Sequence, residues 1–162
     1  HYTNSIQDIQ RLEDLESHPE EQDLPEFLLE MAEDFTHMAE RVEVEVHSSI
    51  PACRESIDGQ ILYRILENLF SNALRFAKSK IEISFSMEGT MLCILVEDDG
   101  NGFTEKVLKN QERYGLSMNS TDRHMGMGLL ICRILCQKHG GRLSLSNGTA
   151  GGARAEVRIA VK

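Results

Sequence analysis

Residues 58–77 carry the most constraining pattern in the chain, an apolar residue at every third or fourth position. That spacing is the period of an α-helix with one buried face, so we predict a long helix from about Asp58 to Ala77. Such a helix needs a second layer of structure against which its apolar face can pack. The apolar positions are Ile61, Leu62, Ile65, Leu66, Leu69, Phe70, Ala73 and Leu74.

The other side of this predicted helix carries an uncommon set of polar residues. Asn68, Asn72 and Arg75 lie at i, i+4 and i+7 and therefore share a face. Asparagine is a poor helix former, because its amide competes for backbone hydrogen bonds. Amide oxygens beside a fixed cation suit Mg²⁺ that is held jointly with phosphate oxygens. An ordinary solvated face is the alternative that these residues alone leave open.

Apolar runs elsewhere predict five strands and three more helices. The strands begin near Val42, Ile81, Met91, Leu143 and Ala155. The helices are expected over residues 2–16, from Leu24 to near Arg41, and from about Met127 to His139.

Polar and glycine residues predict where these elements stop. The stretch from Ser17 to Asp23 is expected to be a linker, and Asp23 with Glu26 to form a cap for the second helix. Gly140 and Gly141 are expected to end the last helix. Residues 104–125 are polar and unpatterned, which predicts a functional lid rather than a routine connection.

Composition restricts the class of protein. The 162 residues are 41% hydrophobic and 27% charged, which fits one ordinary domain, and the longest apolar run, from Met91 to Val96, is too short to cross a bilayer. Because the chain begins with His1 rather than Met, we expect a piece of a longer protein.

The net charge of −9 disfavours nucleic acid as a partner, since phosphate binding needs a basic surface. Residues 1–48 hold 14 acids and 2 bases, a balance of −12, which leaves +3 for residues 49–162. The larger part of the chain therefore carries no charge penalty against a compact anion such as a nucleotide.

The four cysteines form no CxxC pair. Cys132 and Cys136 share a helix face, and buried reduced thiols are favoured over a metal site.

A second motif, Asp98-Asp99-Gly100-Asn101-Gly102-Phe103, follows the predicted buried strand. Glycines there let the backbone come close to a ligand, and a carboxylate at a strand end can accept from an exocyclic amine. A generic Asp-Gly turn and a calcium loop are the alternatives, and the calcium loop lacks the further acids that it requires.

A third motif, Gly126-Met127-Gly128-Leu129, is expected to open the last predicted helix. Free N–H groups at a helix start make an anion site, although a GxG before a helix is also found as a simple loop. The chain contains neither a dinucleotide-binding GxGxxG nor a Walker loop.

Taken together and in this order, the three motifs and the late Gly151-Gly152-Ala153 resemble the ATP-binding catalytic domain of sensor histidine kinases of two-component systems, in the gyrase, chaperone, histidine kinase and mismatch-repair ATPase superfamily. The resemblance runs from about Leu24 to the C-terminus. It implies an α/β fold, a two-layer sandwich with a mixed sheet covered on one face by helices. It also implies that residues 1–18 are the end of a dimerisation helix and a linker, and residues 19–162 the ATP-binding domain.

The resemblance implies a role for each matching residue. Asn72 matches the Mg²⁺ ligand, Asn68 its neighbour facing the phosphates, and Arg75 a basic residue near them; these three are the expected catalytic residues. On the base side, Phe76 matches an aromatic beside the adenine and Asp98 the acceptor of the adenine amino group, and the residues expected to line the base are Gly100 and Gly102.

On the phosphate side, Gly126 and Gly128 match the glycines where the lid meets its helix, followed by Leu129. Arg123 is a candidate phosphate contact, with a solvated loop arginine as the alternative. The cofactors implied are ATP and Mg²⁺. The partners implied are the parent's own dimerisation domain, in a homodimer, and a response regulator, with this chain a cytoplasmic domain of a membrane-anchored bacterial sensor kinase.

Some positions depart from the family pattern. The lid's usual phenylalanine motif is not recognisable in residues 104–125, and the usual Gly-Thr near the end is replaced by Gly152-Ala153. None of the six histidines stands in the family's phosphoacceptor motif. The histidine that receives the phosphate is therefore expected outside this chain.

Three other functions are weighed against a histidine kinase domain. Gyrase-like ATPases of the same fold carry a water-activating Glu where this chain has Asn68, and the neighbouring Glu67 points about 100° away around a helix. Anti-sigma serine kinases usually have a carboxylate near that site as well. A nucleotide-sensing pseudokinase module stays open, since sequence does not exclude slow turnover.

Overall fold

The computed structural model describes residues 18–111 and 123–161, without the side chains of residues 123–127. The helix expected over residues 2–16 lies outside this range. The strands are β1 (Glu20–Asp23), β2 (Glu43–Ser48), β3 (Arg54–Ile57), β4 (Lys80–Glu88), β5 (Met91–Asp98), β6 (Arg142–Asn147) and β7 (Ala153–Ala160). The helices are α1 (Leu24–Met38), α2 (Gly59–Phe76), α3 (Glu105–Lys109) and α4 (Arg123–Lys138).

Five strands form one mixed sheet in the order β2-β4-β5-β7-β6. β2 and β4 run parallel, because β3 and α2 cross over between them, and the other neighbours are antiparallel. Along β4, Ile81, Ile83 and Phe85 are buried and the residues between them are half-exposed. The sheet thus presents one apolar face to the helices, and the expected two-layer α/β fold is confirmed.

Helix α2 packs its apolar face into the core, as predicted. Asp58 caps it, with Oδ1 accepting from the N–H groups of Gln60 and Ile61 at 3.1 and 3.2 Å, while Oδ2 accepts from the N–H of His18 at 2.7 Å. Of the predicted apolar face, only Leu74 is less than fully buried. The expected boundaries, Asp58 and Ala77, are the two capping residues.

The linker expected from Ser17 to Asp23 is wrong in its second half. Glu20–Asp23 is strand β1, which pairs antiparallel with β3 in a separate two-stranded sheet. β3 was not predicted either. Both strands are rich in polar residues and lack alternating apolar side chains, so the pairing depends on backbone hydrogen bonds and on a 2.8 Å ion pair between Arg54 and Glu21. At the end of β1, Asp23 caps α1 as predicted, accepting from the N–H of Glu26 at 3.1 Å.

The region from 104 to 125 contains helical structure that its sequence pattern did not indicate. Thr104 caps the short helix α3, with Oγ1 accepting from the N–H of Val107 at 3.2 Å, and Val107 is buried. A helix of five residues is too short to show a periodic apolar face. The expected lid otherwise falls largely on residues 112–122, outside the described range.

Helix α4 ends as predicted and begins earlier than predicted. The N–H of Gly141 donates to the carbonyl of Cys136 at 2.8 Å, which closes the helix at the expected glycine pair. Its first residue is Arg123, whereas the glycines were expected to start it near Met127. None of the helices in the described ranges is both long and apolar enough to span a membrane.

The thiols of Cys132 and Cys136 are free and buried on the inner face of α4, as expected. Cys132 Sγ lies 3.4 Å from the carbonyl oxygen of Ile65 in α2. Burial raises the pKa of the Cys136 thiol to about 12 and raises the pKa of the Cys132 thiol as well, which favours protonated packing residues over metal ligands at neutral pH.

Candidate functional site

Asp98, the last residue of β5, has a buried carboxylate in which one oxygen accepts hydrogen bonds from the backbone and the other does not. It is 5% exposed and is the only charged residue among those described that is classed as buried. Oδ1 accepts from the N–H of Gly100 at 2.8 Å and from the N–H of Ala153 at 3.4 Å. Oδ2 accepts no hydrogen bond within residues 18–111 and 123–161.

The environment of Asp98 shifts its pKa upward. Burial raises the pKa, the two backbone donors oppose the shift, and the neighbouring Asp99 charge adds to it. A carboxylate with its orientation fixed by two N–H groups and its second oxygen unpaired is an acceptor preorganised for an external donor.

Two positions after Asp98 require glycine, because neighbouring backbone leaves no room for a Cβ and because one of them has a positive φ. A Cβ at Gly100 would overlap the carbonyl oxygen of Phe76, at the end of α2. Gly102 has φ +82°, in the left-handed region, and a Cβ there would overlap the carbonyl oxygen of Gly151. The motif therefore lies between the end of α2 on one side and the turn before β7 on the other.

The polar face of α2 meets the start of α4 at Asn68. Asn68 is half-buried, and its Nδ2 donates to the carbonyl of Arg64 at 2.8 Å, which leaves Oδ1 available. That oxygen lies 3.8 Å from where a Cβ on Gly128 would stand. Asn72, one turn further on, is half-buried and has no side-chain hydrogen bond within the described residues. The structure thus brings Asn68 and Gly128 together, as the predicted phosphate side requires.

The end of α2 exposes a cation and an aromatic ring. Phe76 is 40% exposed, one of three large apolar side chains exposed in the described part of the chain. Arg75 is exposed and lines an open groove of about 490 Å³ together with Met38, Arg41 and Ser71. Among the described residues no contact ties Arg75 to Asp98.

The third predicted motif differs in position from what was expected. Gly126 and Gly128 lie within the first two turns of α4, not before it. Gly126 is among the first four residues, whose N–H groups have no partner within the helix. Leu129 is 2% exposed and its side chain packs in the core, and its part in ligand binding stays a prediction. The side chain of Arg123 lies outside the described set.

Sequence reasoning missed the residues that hold the site in place. Asp99 accepts from the N–H of Lys78 at 2.8 Å, from the N–H of Ser79 at 3.0 Å and from Ser79 Oγ at 2.6 Å. These donors hold the pKa of the Asp99 carboxyl far below its usual range. The second acid of the Asp-Asp-Gly motif was visible in the sequence, but its donors at Lys78 and Ser79 lie 21 and 20 positions earlier, so no local pattern indicated the contact.

Asn147, at the end of β6, is a second residue of this kind. Its Oδ1 accepts from the N–H of Phe103 at 2.7 Å, and its Nδ2 donates to the carbonyl of Phe103 at 3.0 Å. One amide thereby replaces a strand's pair of backbone hydrogen bonds and fixes the chain just after Gly102.

One group of side chains in the described ranges has a metal-like arrangement, and it lies away from this site. Glu45, His47 and Glu82 place ligand atoms within 4.8 Å of one another on β2 and β4. Lys80 Nζ already bridges two of the carboxylates, at 2.6 Å from Glu45 and 3.2 Å from Glu82. The ammonium occupies the place of a cation, so we do not assign a metal site there.

Comparison with protein families gives one match over most of the chain. Residues 57–162 match the model of histidine kinase-, DNA gyrase B- and HSP90-like ATPases. The matched region begins just before α2 and contains all three motifs.

Two curated relatives are similar over much of the chain. Sensor protein RstB of Escherichia coli (strain K12) is 29% identical over 143 residues, which are 86% of this chain and 33% of that protein. Sensor histidine kinase SpaK of Bacillus subtilis is 32% identical over 112 residues, 65% of this chain and 24% of that protein. The chain thus spans a third or less of the length of these relatives.

Solved structures share the fold. Full-length ShkA in complex with AMPPNP superposes with a TM-score of 0.79 at 23% identity, covering 98% of this chain and 35% of that one. The catalytic domain of histidine kinase ThkA superposes with a TM-score of 0.75 at 21% identity, covering 88% of this chain and 95% of that one. At these identities the likeness concerns the fold alone.

Proposed function

Because the chain belongs to the family of histidine kinase-, DNA gyrase B- and HSP90-like ATPases, we propose that it is the ATP-binding catalytic domain of a sensor histidine kinase. The observation that carries the proposal is Asp98, whose buried carboxylate keeps Oδ2 free at a strand end, where the following Gly100 packs against the backbone of the exposed residue Phe76. An exocyclic amine on a flat base fits this pair, since the carboxylate accepts its hydrogen bond and the ring contacts its face.

The phosphates and Mg²⁺ belong, in this proposal, at the other end of the polar face of α2. Asn72 and Asn68 offer amide oxygens, which are hard ligands of the kind Mg²⁺ prefers, and the N–H groups at the start of α4 suit an anion. Bound there, the ion would neutralise charge on the β- and γ-phosphates. The AMPPNP held by ShkA, a neighbour of the same fold, supports a nucleotide as the ligand.

The reaction that we propose is transfer of the γ-phosphoryl group to a histidine on the adjoining dimerisation domain. The imidazole nitrogen forms a bond to the γ-phosphorus as the bond from that phosphorus to the β–γ bridging oxygen breaks, and ADP leaves. The imidazole is its own nucleophile, so this domain has to position the groups and stabilise charge rather than supply a base. Asn68 favours this reaction over hydrolysis, because an amide does not activate water as a Glu does.

The partners follow from the same proposal. The sensor kinases among the relatives support a parent that dimerises, passes its phosphate to a response regulator and is anchored in a membrane, with this domain in the cytoplasm. The parent's dimerisation domain is the immediate substrate.

The test is a phosphotransfer assay with Mg-ATP labelled at the γ-phosphate. We expect no labelling of this chain alone, because none of its six histidines stands in a phosphoacceptor motif. We expect slow labelling of the parent's dimerisation domain supplied separately, and none when Asn72→Ala replaces the wild type. Acid-labile phosphate on any of the six histidines, or transfer that is unchanged by Asn72→Ala, would contradict the proposal.

A further inference from the structure

The short segment of residues 76–79, here called the α2 turn, begins at the last residue of α2 and is held from one side by a cation. The guanidinium of Arg41, between α1 and β2, donates from Nη2 to the carbonyl of Leu74 at 2.8 Å and from Nη1 to those of Ala77 at 3.0 Å and Lys78 at 3.3 Å. The last carbonyls of a helix have no N–H partner within it and carry partial negative charge. Arg41 thus donates to one carbonyl in the last turn of α2 and to two carbonyls just after it.

The opposite side of the α2 turn is held by an anion. Asp99 accepts from the N–H groups of Lys78 and Ser79 and from the hydroxyl of Ser79. Lys78 therefore has its carbonyl bound by Arg41 and its N–H bound by Asp99. The Arg41 guanidinium thus binds carbonyl groups of this turn, and the Asp99 carboxylate binds its N–H groups.

The α2 turn is in direct contact with the base side of the candidate site. The carbonyl oxygen of Phe76 lies so close to Gly100 that no Cβ fits between them. The N–H of Gly100 in turn donates to Oδ1 of Asp98. A shift of the turn must therefore move the backbone that orients the Asp98 carboxylate, and it carries the Phe76 ring with it.

We propose that Arg41 and Asp99 are positioning residues that set the preference for adenine over guanine at this site. The inference rests on the proposed function, since it assigns a specificity role within the same nucleotide site. Adenine presents an amine to Oδ2 of Asp98, whereas guanine presents a carbonyl oxygen that the carboxylate repels. That discrimination is large only if Oδ2 is held in one place, because a mobile carboxylate can turn away from the guanine oxygen.

The experiment measures ATP and GTP affinity by calorimetry in the presence of Mg²⁺ for the wild type, Arg41→Met, Arg41→Lys and Asp99→Asn. Arg41→Met keeps the aliphatic stem and removes the donors, and Arg41→Lys restores one donor group. Arg142→Met, at an exposed position on β6, makes the same chemical change away from the site. A thermal melt of each variant gives the fraction that is folded at the temperature of the titration.

We expect Arg41→Met to weaken ATP binding about tenfold and GTP binding less, so that the preference for ATP narrows; tenfold corresponds to about 1.4 kcal/mol. Arg41→Lys should recover part of the ratio of ATP to GTP affinity, and Asp99→Asn should lower that ratio. Arg142→Met should leave the ratio at the wild-type value. A merely destabilised fold lowers the number of competent molecules for both nucleotides alike and does not change the ratio.

The outcomes separate this inference from the proposed function. A wild type that binds ATP while Arg41→Met and Asp99→Asn keep the full preference for it would overturn the positioning role alone. A wild type that binds neither nucleotide would overturn the proposed function and the positioning role with it. Amide hydrogen exchange at Lys78 and Ser79, faster in Arg41→Met than in Arg142→Met, would separately support the restraint on the α2 turn, and equal exchange would count against it.

Discussion

The N–H of Ala153 points at Oδ1 of Asp98 across 3.4 Å, joining residues that lie 55 positions apart in the chain. The contact links the end of β5 to the start of β7, which are neighbours in the sheet. It also explains how a carboxylate can be buried here, because backbone donors replace part of the water that it loses.

Asp98→Asn should abolish most of the ATP affinity and leave the fold intact. The amide oxygen can keep the bonds to Gly100 and Ala153, but the NH₂ group then faces the adenine amine, so two donors meet, at a cost of about 1–3 kcal/mol. Calorimetric titration with ATP measures the loss. Asp98→Ala is the comparison variant, and it should lose both affinity and thermal stability.

The stability of Asp98→Asn relative to the wild type should increase with pH. Because burial raises the pKa of Asp98, its contribution to the free energy of unfolding is complete at low pH and is lost as the pH rises through that raised pKa. The neutral amide has no such loss. Urea unfolding at about pH 4 and pH 7 gives the free energy of unfolding of the variant minus that of the wild type. A lower value of this difference at pH 7 than at pH 4 would contradict the prediction.

Asn72→Ala should remove most of the Mg²⁺-dependent part of ATP affinity. Its half-buried amide has no hydrogen bond in the described structure, so the oxygen is available to a hard cation. Titrations with ATP in the presence of Mg²⁺ or of a chelator give the two affinities. Gln137→Ala removes an exposed amide near the end of α4, outside the residues assigned to the site, and is the control. An equal Mg²⁺ dependence in wild type and Asn72→Ala would refute the assignment.

Asp99→Asn should make the protein less sensitive to acid. The pKa of Asp99 is lowered in the fold, so its stabilising contribution is present above the ordinary pKa of an aspartate, about 3.9, and is lost as the pH falls through the folded value. The gap in unfolding free energy between wild type and variant should therefore close as the pH falls from about 6 to 2. Asp34→Asn, at an exposed site on α1, controls for the loss of one charge.

His139→Phe should reduce the loss of stability between about pH 7 and 5. Burial lowers the pKa of His139, whose Nε2 is buried and has no hydrogen-bond partner among the described residues. The unfolded chain then takes up a proton before the folded one does, so the wild type loses stability as the pH falls. Unfolding of His37→Phe, an exposed site on α1, provides the reference; parallel curves for all three proteins would contradict the expectation.

The elements that were predicted correctly have one buried face, and that face requires apolar residues at regular spacing in the sequence. Ile61 to Ala73 in α2 and Ile81 to Phe85 in β4 face the core, so their spacing alone gives the structure. β1 and β3 are mostly exposed, and their pairing uses the backbone, which has no side-chain signature. A polar strand of this kind could not be told from a linker.

The same contrast holds within the candidate site. Asp98 could be placed at a strand end from the apolar run before it and the glycines after it. Arg41 lies more than thirty residues from the carbonyls that it binds, and no local pattern connects the two. A side chain that binds backbone groups far away in the sequence can be identified only from the folded structure.

The carboxylate of Asp58 accepts hydrogen bonds from two separate segments of the chain. One oxygen holds the first turn of α2 and the other holds the N–H of His18, the first residue described. A displacement of the backbone at His18 therefore acts, through one carboxylate, on the first turn of the helix that carries Asn68 and Asn72.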